Sequence, residues 1–315
     1  MSLRAWSAFA AMSFLWGIPY LFIKVAVDDG VPPAFVAWAR VVMAAAVLIV
    51  LAWRAGTLGS VRRHGWWIAA FAVAEISIPF PLISMGEVHV DSSLAAIVIA
   101  AVPLIVALLA MAFAPAERAG GIRLVGLLVG FAGVVVLVGI DLTGSTEELL
   151  GALAILGAAV GYAVGPMLLR ARLAAPDGRA TMGTSLGVAS VVLLPFALAD
   201  RPTETPSGSA VLSIVVLGLF CTAAAFIVYG ALVAEVGAGR AVVITYVAPV
   251  VALALGVAVL GESPGPGAVV GLLLILAGSW MSTDGRLPPG LAAVFERRRP
   301  SLRRGVRASV DESSL

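Results

Sequence analysis

Residues 92–117 read SSLAAIVIAAVPLIVALLAMAFAPAE, and residues 238–262 read AGRAVVITYVAPVVALALGVAVLGE. Each stretch opens on small residues and stays apolar for about one membrane thickness. Each carries a proline near its middle (Pro103, Pro249) and closes on a glutamate (Glu117, Glu262). The prolines stand 146 positions apart. The same offset lays Trp16-Gly17 on Tyr162-Ala163, Lys24 on Arg170 and Phe80 on Phe226. With a one-residue slip, Gly126 and Gly133 fall on Gly271 and Gly278. The chain therefore reads as two copies of one unit, and an internal repeat outranks every other signal.

Composition sets the solvent. Of the 315 residues, 61% are hydrophobic and 12% charged, against about 45–50% and about 25% in soluble domains. The apolar runs have the length that crosses a bilayer as a helix. Ten spans are expected: 6–27, 33–53, 66–86, 93–114, 122–140, 150–169, 180–199, 210–234, 240–260 and 266–283. Met1–Arg4 precede a stretch too long for a signal peptide, so it reads as the first span. The single cysteine, Cys221, sits in an apolar run and cannot form an internal disulfide.

Arginine fixes the orientation. With both termini inside, the inner loops collect Arg4, Arg54, Arg62, Arg63, Arg118, Arg123, Arg170, Arg172, Arg179, Arg240 and the arginines of the tail. The outer loops hold Arg201 alone among many acidic residues. This is the positive-inside pattern. Five spans per copy is odd, so the second copy enters the membrane from the opposite side. The fold class is an all-α membrane protein, with ten transmembrane helices as two inverted five-helix repeats. The expected divisions are 1–145, 146–284 and a basic cytoplasmic tail, 285–315. Inverted repeats related by a pseudo-two-fold axis are a recurrent transporter architecture; the bland reading is an inert duplicated bundle. The tail reads either as an anionic-lipid contact or as a disordered segment that satisfies the charge rule.

Several residues could carry chemistry. Pro103 and Pro249 each remove a backbone hydrogen bond, and symmetric broken spans point to a midplane site. Prolines can also simply shape a bundle. Glu75 falls close to the midplane of the third span, where an ionised carboxylate is costly unless paired. It could bind a substrate ammonium, carry a coupling proton, or pair with Arg40. Lys24 reads as snorkelling or as pairing with Asp28 or Glu87, and Glu87 and His89 fall at the outer mouth. Trp16, Tyr20, Tyr162, Tyr229, Thr245 and Tyr246 are candidates to line a cavity for a ligand part apolar and part hydrogen-bonding; packing is the alternative for each. Trp6, Trp38, Trp53, Trp66, Trp67 and Trp280 read as belt or packing residues. Gly157, Gly161 and Gly165 at four-residue spacing permit close helix contact, within the chain or between two chains.

Enzyme signals are weak. Gly183-Thr184-Ser185-Leu186-Gly187 matches G-x-S-x-G, but that motif needs a strand-to-helix turn, a histidine and an acid. It falls at the start of a membrane helix, and both histidines, His64 and His89, lie in the other copy. No Walker loop, metal-ligand cluster or nucleotide fingerprint is present. No cofactor and no nucleic-acid partner is expected.

Taken together, the chain resembles the EamA-type ten-helix members of the drug/metabolite transporter superfamily. The likeness rests on Leu15-Trp16-Gly17 with Lys24, Arg40 after Pro32-Pro33, Ser92-Ser93-Leu94-Ala95-Ala96 leading to Pro103, Ala116-Glu117-Arg118, and Gly126 with Gly133. The second copy repeats it as Gly237-Ala238, Pro249, Leu260-Gly261-Glu262, Gly271 and Gly278. The resemblance implies a bacterial inner-membrane carrier for small metabolites, often an exporter of amino acids, with a cavity lined by both repeats. Glu75 departs from the neutral residue usual in the family, and the first copy lacks the Leu-Gly before its glutamate. The expectation is a secondary transporter working by alternating access. Its substrate would be a small organic molecule, zwitterionic if Glu75 takes an ammonium and Arg40 a carboxylate, and transport could be proton-coupled. A non-transporting receptor or assembly subunit is the alternative.

Overall fold

The computed structural model describes residues 2–113, 121–141, 145–237, 241 and 243–282. Among them the chain is helical throughout, in ten spans. These are α1 (Leu3–Asp28), α2 (Pro33–Arg54), α3 (Leu58–Gly86) and α4 (Ser92–Leu109). They continue with α5 (Ile122–Asp141), α6 (Thr146–Arg172), α7 (Gly178–Ala199), α8 (Gly208–Val236), α9 (Ile244–Leu260) and α10 (Pro266–Ser282). Seven are long and apolar enough to cross a bilayer by length and composition; Ile122–Leu137, α9 and α10 are shorter apolar helices. The expected spans are recovered to within about five residues, except that α3 starts at Leu58 rather than 66, opening with a 3-10 stretch over Leu58–His64. Glu117, Arg118, Arg240 and the tail lie outside the described residues.

Lipid is the natural solvent of the outer surface. Leu128, Val191, Phe196 and Leu273 are largely exposed on the spans, as side chains facing hydrocarbon should be. Trp53 and Trp66 are exposed near the arginine-rich end, where an interfacial ring belongs.

The two repeats interleave. α1 packs on α8 and α9 of the second repeat, while α6 packs on α3 and α4 of the first. Repeat-equivalent helices close the bundle in pairs, α2 against α7 and α5 against α10. Glycine makes these approaches possible. A Cβ on Gly133 would lie 2.9 Å from the Gly271 carbonyl oxygen, and one on Gly151 would lie 2.9 Å from that of Gly86. On the α6 stripe, a Cβ on Gly161 would collide with the Ala74 carbonyl oxygen and Pro79, and one on Gly165 with the Glu75 carboxyl. The stripe therefore serves packing inside the chain. In a membrane, where lipid and leucine are equally apolar, such close contact is what holds helices together.

The helical irregularities only partly follow the prolines. α4 is interrupted at Ala100–Ala101, just ahead of Pro103, with Ala101 N–H reaching back to Val98 O at 3.1 Å. Pro249 instead sits inside an unbroken Ile244–Leu255 helix. The symmetric break expected at these two prolines is thus corrected: the fourth span breaks and the ninth does not. α9 carries its irregularity one turn later, as a π turn over Gly256–Leu260. The matched irregularities are elsewhere, as π turns over Val73–Ser77 in α3 and Leu219–Ala224 in α8. In both, a hydroxyl fills the widened turn: Ser77 Oγ donates to Ala72 O at 3.1 Å, and Thr222 Oγ1 to Leu217 O at 2.8 Å. Pro79 follows the first π turn, but α8 has no proline there, so the bulge is not a by-product of proline.

Candidate functional site

Glu75 lies within the α3 π turn, and its repeat counterpart Cys221 lies within that of α8. π bulges inside α-helices recur at functional sites. The residue is half-buried, and its Oε2 is sealed with no hydrogen-bond partner. The bare backbone of Gly165 on α6 makes room for that carboxyl.

Arg40, on α2, is only 5% exposed. Its Nε and Nη2 donate to Thr222 Oγ1 at 3.4 and 3.1 Å. Its guanidinium also sits 4.1 Å above the centre of the Phe80 ring, a geometry favourable to a desolvated cation. The expected alternative of an Arg40–Glu75 ion pair is therefore corrected. The arginine is held across the repeat boundary by a hydroxyl of α8 and a ring of α3, and the carboxylate is left over. Tyr20, Tyr162 and Cys221 lie within electrostatic range of Arg40, and Tyr162 and Tyr229 within range of Glu75.

The other candidates divide. Trp16 and Tyr229 join α1 to α8, with ring centres 5.0 Å apart and planes tilted by 36°. Gly17 lets the same turn of α1 approach α9, where its Cβ would lie 2.9 Å from Ala248 O, next to Pro249. Tyr20 is buried. Thr245 stands in the first turn of α9 and is half-buried. Tyr246 donates its hydroxyl to Ser279 O of α10 at 3.3 Å, which ties it to the helix behind. The structure thus gathers Glu75, Arg40, Tyr20 and Tyr162 around the two π turns, sets Trp16 and Tyr229 beside them, and directs the Tyr246 hydroxyl away. Thr222 went unnoticed in the sequence. Its signal was only its place beside Cys221, the counterpart of Glu75.

A second polar cluster closes the acid-rich end of the bundle. Lys24 Nζ pairs with Asp28 Oδ1 at 3.2 Å, one of its two expected partners; toward Glu87, the other, it donates to the backbone oxygen at 3.0 Å and not to the carboxyl. Glu87 is 0% exposed, with neither carboxylate oxygen hydrogen-bonded. His89 Nδ1 lies 3.8 Å from Glu147 Oε2. Glu262 reaches across the repeats to the start of α4: Oε1 accepts from Ser92 N–H at 2.8 Å and Oε2 from Ser93 N–H at 3.0 Å and from Ser93 Oγ. A carboxylate on two amides of a helix N-terminus is a strong cap. Gly261 aims it, adopting φ 69°, ψ 20° while Glu262 N–H returns to Gly256 O at 3.1 Å; this left-handed cap suits glycine. Burial and then the charge of Glu262 push the Asp91 carboxyl above the ordinary range. Beside the clasp is a cavity of about 400 Å³, lined in part by His89, Asp91, Ser93, Glu148 and Ser263. Among the described residues no group of three or more metal-ligating side chains could hold an ion.

Comparison with known proteins agrees with this architecture. The EamA-like transporter family model matches residues 4–139 and again 149–283. A probable terminal-alkyne amino-acid exporter of Streptantibioticus cattleyicolor is 30% identical over 264 residues, covering 84% of this chain and 88% of that protein. The uncharacterized inner membrane transporter YedA of Escherichia coli is 28% identical over 265 residues, covering 83% and 84%. A probable amino-acid metabolite efflux pump of Salmonella typhimurium is 26% identical over 282 residues, covering 86% and 92%. A protein of known crystal structure superposes with a TM-score of 0.63 at 23% identity, covering 90% of this chain and 97% of its own, and shares the fold. Interleaved five-helix repeats and two matches to one family model lead to the same place: the chain is a multi-pass membrane protein and belongs to the EamA-like transporter family, within the drug/metabolite transporter superfamily.

Proposed function

We propose that the chain is a secondary carrier that exports a small amino-acid-related metabolite across the inner membrane by alternating access. The arginine-rich end and both termini face the cytoplasm, and the acid-rich end faces out. The substrate sits between the repeats, where Arg40 takes a carboxylate and Glu75 an ammonium. One observation carries this reading: a guanidinium and a carboxyl group, which could complement a zwitterion, lie at the repeat boundary without pairing with each other. A buried charge without a partner is expensive, so a ligand that supplies both counter-charges offsets that cost. The relatives named as an amino-acid exporter and an amino-acid metabolite efflux pump support the same substrate class and direction.

A thermal-shift screen of purified protein against amino acids, amines and organic acids, on wild type and Glu75→Gln, tests the site. A ligand stabilises the state it binds as RT ln(1 + [L]/Kd). Zwitterions should raise the melting temperature of wild type and lose that effect in the variant, and the hits should exchange across liposomes in counterflow. A zwitterion shift retained in Glu75→Gln removes Glu75 from the site, and binding without counterflow overturns the carrier assignment.

A further inference from the structure

Glu87 stands immediately after the last turn of α3, fully inside the protein, and neither carboxylate oxygen has a hydrogen-bond partner. The nearest cation does not serve it. Lys24 Nζ is engaged by Asp28 and by the backbone oxygen of Glu87, not by its side chain. An ionised carboxylate with no donor on either oxygen is among the costliest groups to seal from water, whereas the protonated acid is far cheaper. The groups around it leave the charged form poorly supported. Lys24 and Asp28 face it from α1 and Arg40 from α2, with Tyr20 also in range, while Glu262 faces it from the α9–α10 turn. On its own loop, His89 is drawn to Glu147 of α6, and Asp91 and Glu148 line the neighbouring cavity.

Glu262, which faces this residue, also binds Ser92 and Ser93 and so clasps the second repeat to the first. A Cβ on Gly256 would collide with the Glu262 carboxyl and Ser93 Oγ, so the two helix ends meet without spare room. Parting α4 from α9 at this end would break the clasp.

We propose that Glu87 is a proton-binding site that couples opening of the acid-rich face to release of a proton. With the clasp made, the side chain carries the proton. When α4 and α9 part, the O–H bond of Glu87 breaks, its proton passes to water on that face, and the carboxylate stays hydrated beside the freed Glu262. Reclosing takes one proton back. In the carrier proposed above, acidity on that face would therefore favour the closed state. The gate itself needs no substrate, so it can be tested apart from transport.

Hydrogen–deuterium exchange of the full chain in nanodiscs reads the clasp through the amides at the start of α4. With intrinsic exchange chemistry divided out, wild-type protection at residues 92–99 should fall as pH rises from mildly acidic to mildly alkaline. The fall should approach about tenfold per pH unit where one proton is linked to opening. Glu87→Gln should keep the protection and flatten its pH dependence, Glu262→Gln should lower it at every pH, and His89→Gln and Asp91→Asn should keep the wild-type slope. A flat wild-type profile, a wild-type slope in Glu87→Gln, or a slope lost with His89→Gln or Asp91→Asn overturns the proposal. If Glu87→Gln fails to fold, infrared titration of wild type decides. The protonated-carboxyl stretching band should fade with the midpoint of the exchange profile; no such band, or a different midpoint, overturns the assignment. Counterflow is unaffected by these results, so the gate and the carrier readings can fail separately.

Discussion

Thr222 accepts two N–H groups of Arg40 and donates its own hydroxyl to Leu217 O. One hydroxyl thereby completes a π turn in the second repeat and positions the guanidinium of the first. Thr222→Val keeps the shape and removes both functions. Hydrogen bonds between membrane helices average about 0.6 kcal/mol and reach about 1.7, and this one has a charged donor. A loss near the top of that range is expected in detergent unfolding, with a larger loss in zwitterion binding because Arg40 is released. Arg40→Lys should weaken binding despite keeping the charge, since a lysine has no fork to hold the hydroxyl and no plane to lie on Phe80. Equal ligand-induced thermal shifts in Arg40→Lys and wild type would contradict this placement. None of this was legible in the sequence. Arg40 and Thr222 are 182 positions apart, and neither the repeat offset nor any spacing rule connects them. The sequence offered Glu75 as the partner of Arg40 because it weighs charge and depth, not the direction of a side chain.

At the scale of helices, the α6 glycines and the α7 cap make contrasting cases. Gly161→Ala would press a methyl group onto the Ala74 backbone and Pro79, neither of which can swing aside. Overpacking of this kind costs about 1–3 kcal/mol. Gly230 has nothing within 4 Å of its would-be Cβ, so Gly230→Ala should be neutral or slightly stabilising. Comparing the two variants in unfolding experiments separates packing from propensity. α7 is capped by Asp177, whose Oδ1 accepts from Arg179 N–H at 3.0 Å and Ala180 N–H at 3.2 Å. Hydrogen bonding from Arg179 holds this carboxyl below its ordinary range. A lowered value contributes stability above the unfolded value, near 3.9, and loses it as pH falls through the folded one. Asp177→Ala should cost about 1 kcal/mol at neutral pH, and the gap from wild type should begin to narrow below about pH 4 and close as pH falls through the lowered folded value. The spans themselves were legible, because hydropathy and glycine-proline punctuation are local. The π turns were not: only Pro79 hinted at one, and α8 forms its own without proline. Glu262 was visible as the end of a repeated motif, but its hold on α4 depends on how the repeats face each other.

For the whole molecule, the arginine distribution and the odd number of spans per repeat make one joint prediction. The turn after α2 and the turn before α8 should lie on opposite sides of the membrane, the first inside and the second outside. Ala55 and Thr203 are exposed at these two places, and the native Cys221 is buried, so it is a quiet background. In intact cells, a membrane-impermeant maleimide should label Thr203→Cys and spare Ala55→Cys until the membrane is opened. The reverse pattern would invert the molecule, place the Glu87 gate in the cytoplasm, and turn the proposed proton release inward. Labelling of both from outside would break the odd-span argument on which the inversion of the repeats depends. The expected pattern would put the Glu262 clasp at the outer door. An exporter with that arrangement meets its release-side pH at the residue that is sealed while the door is shut.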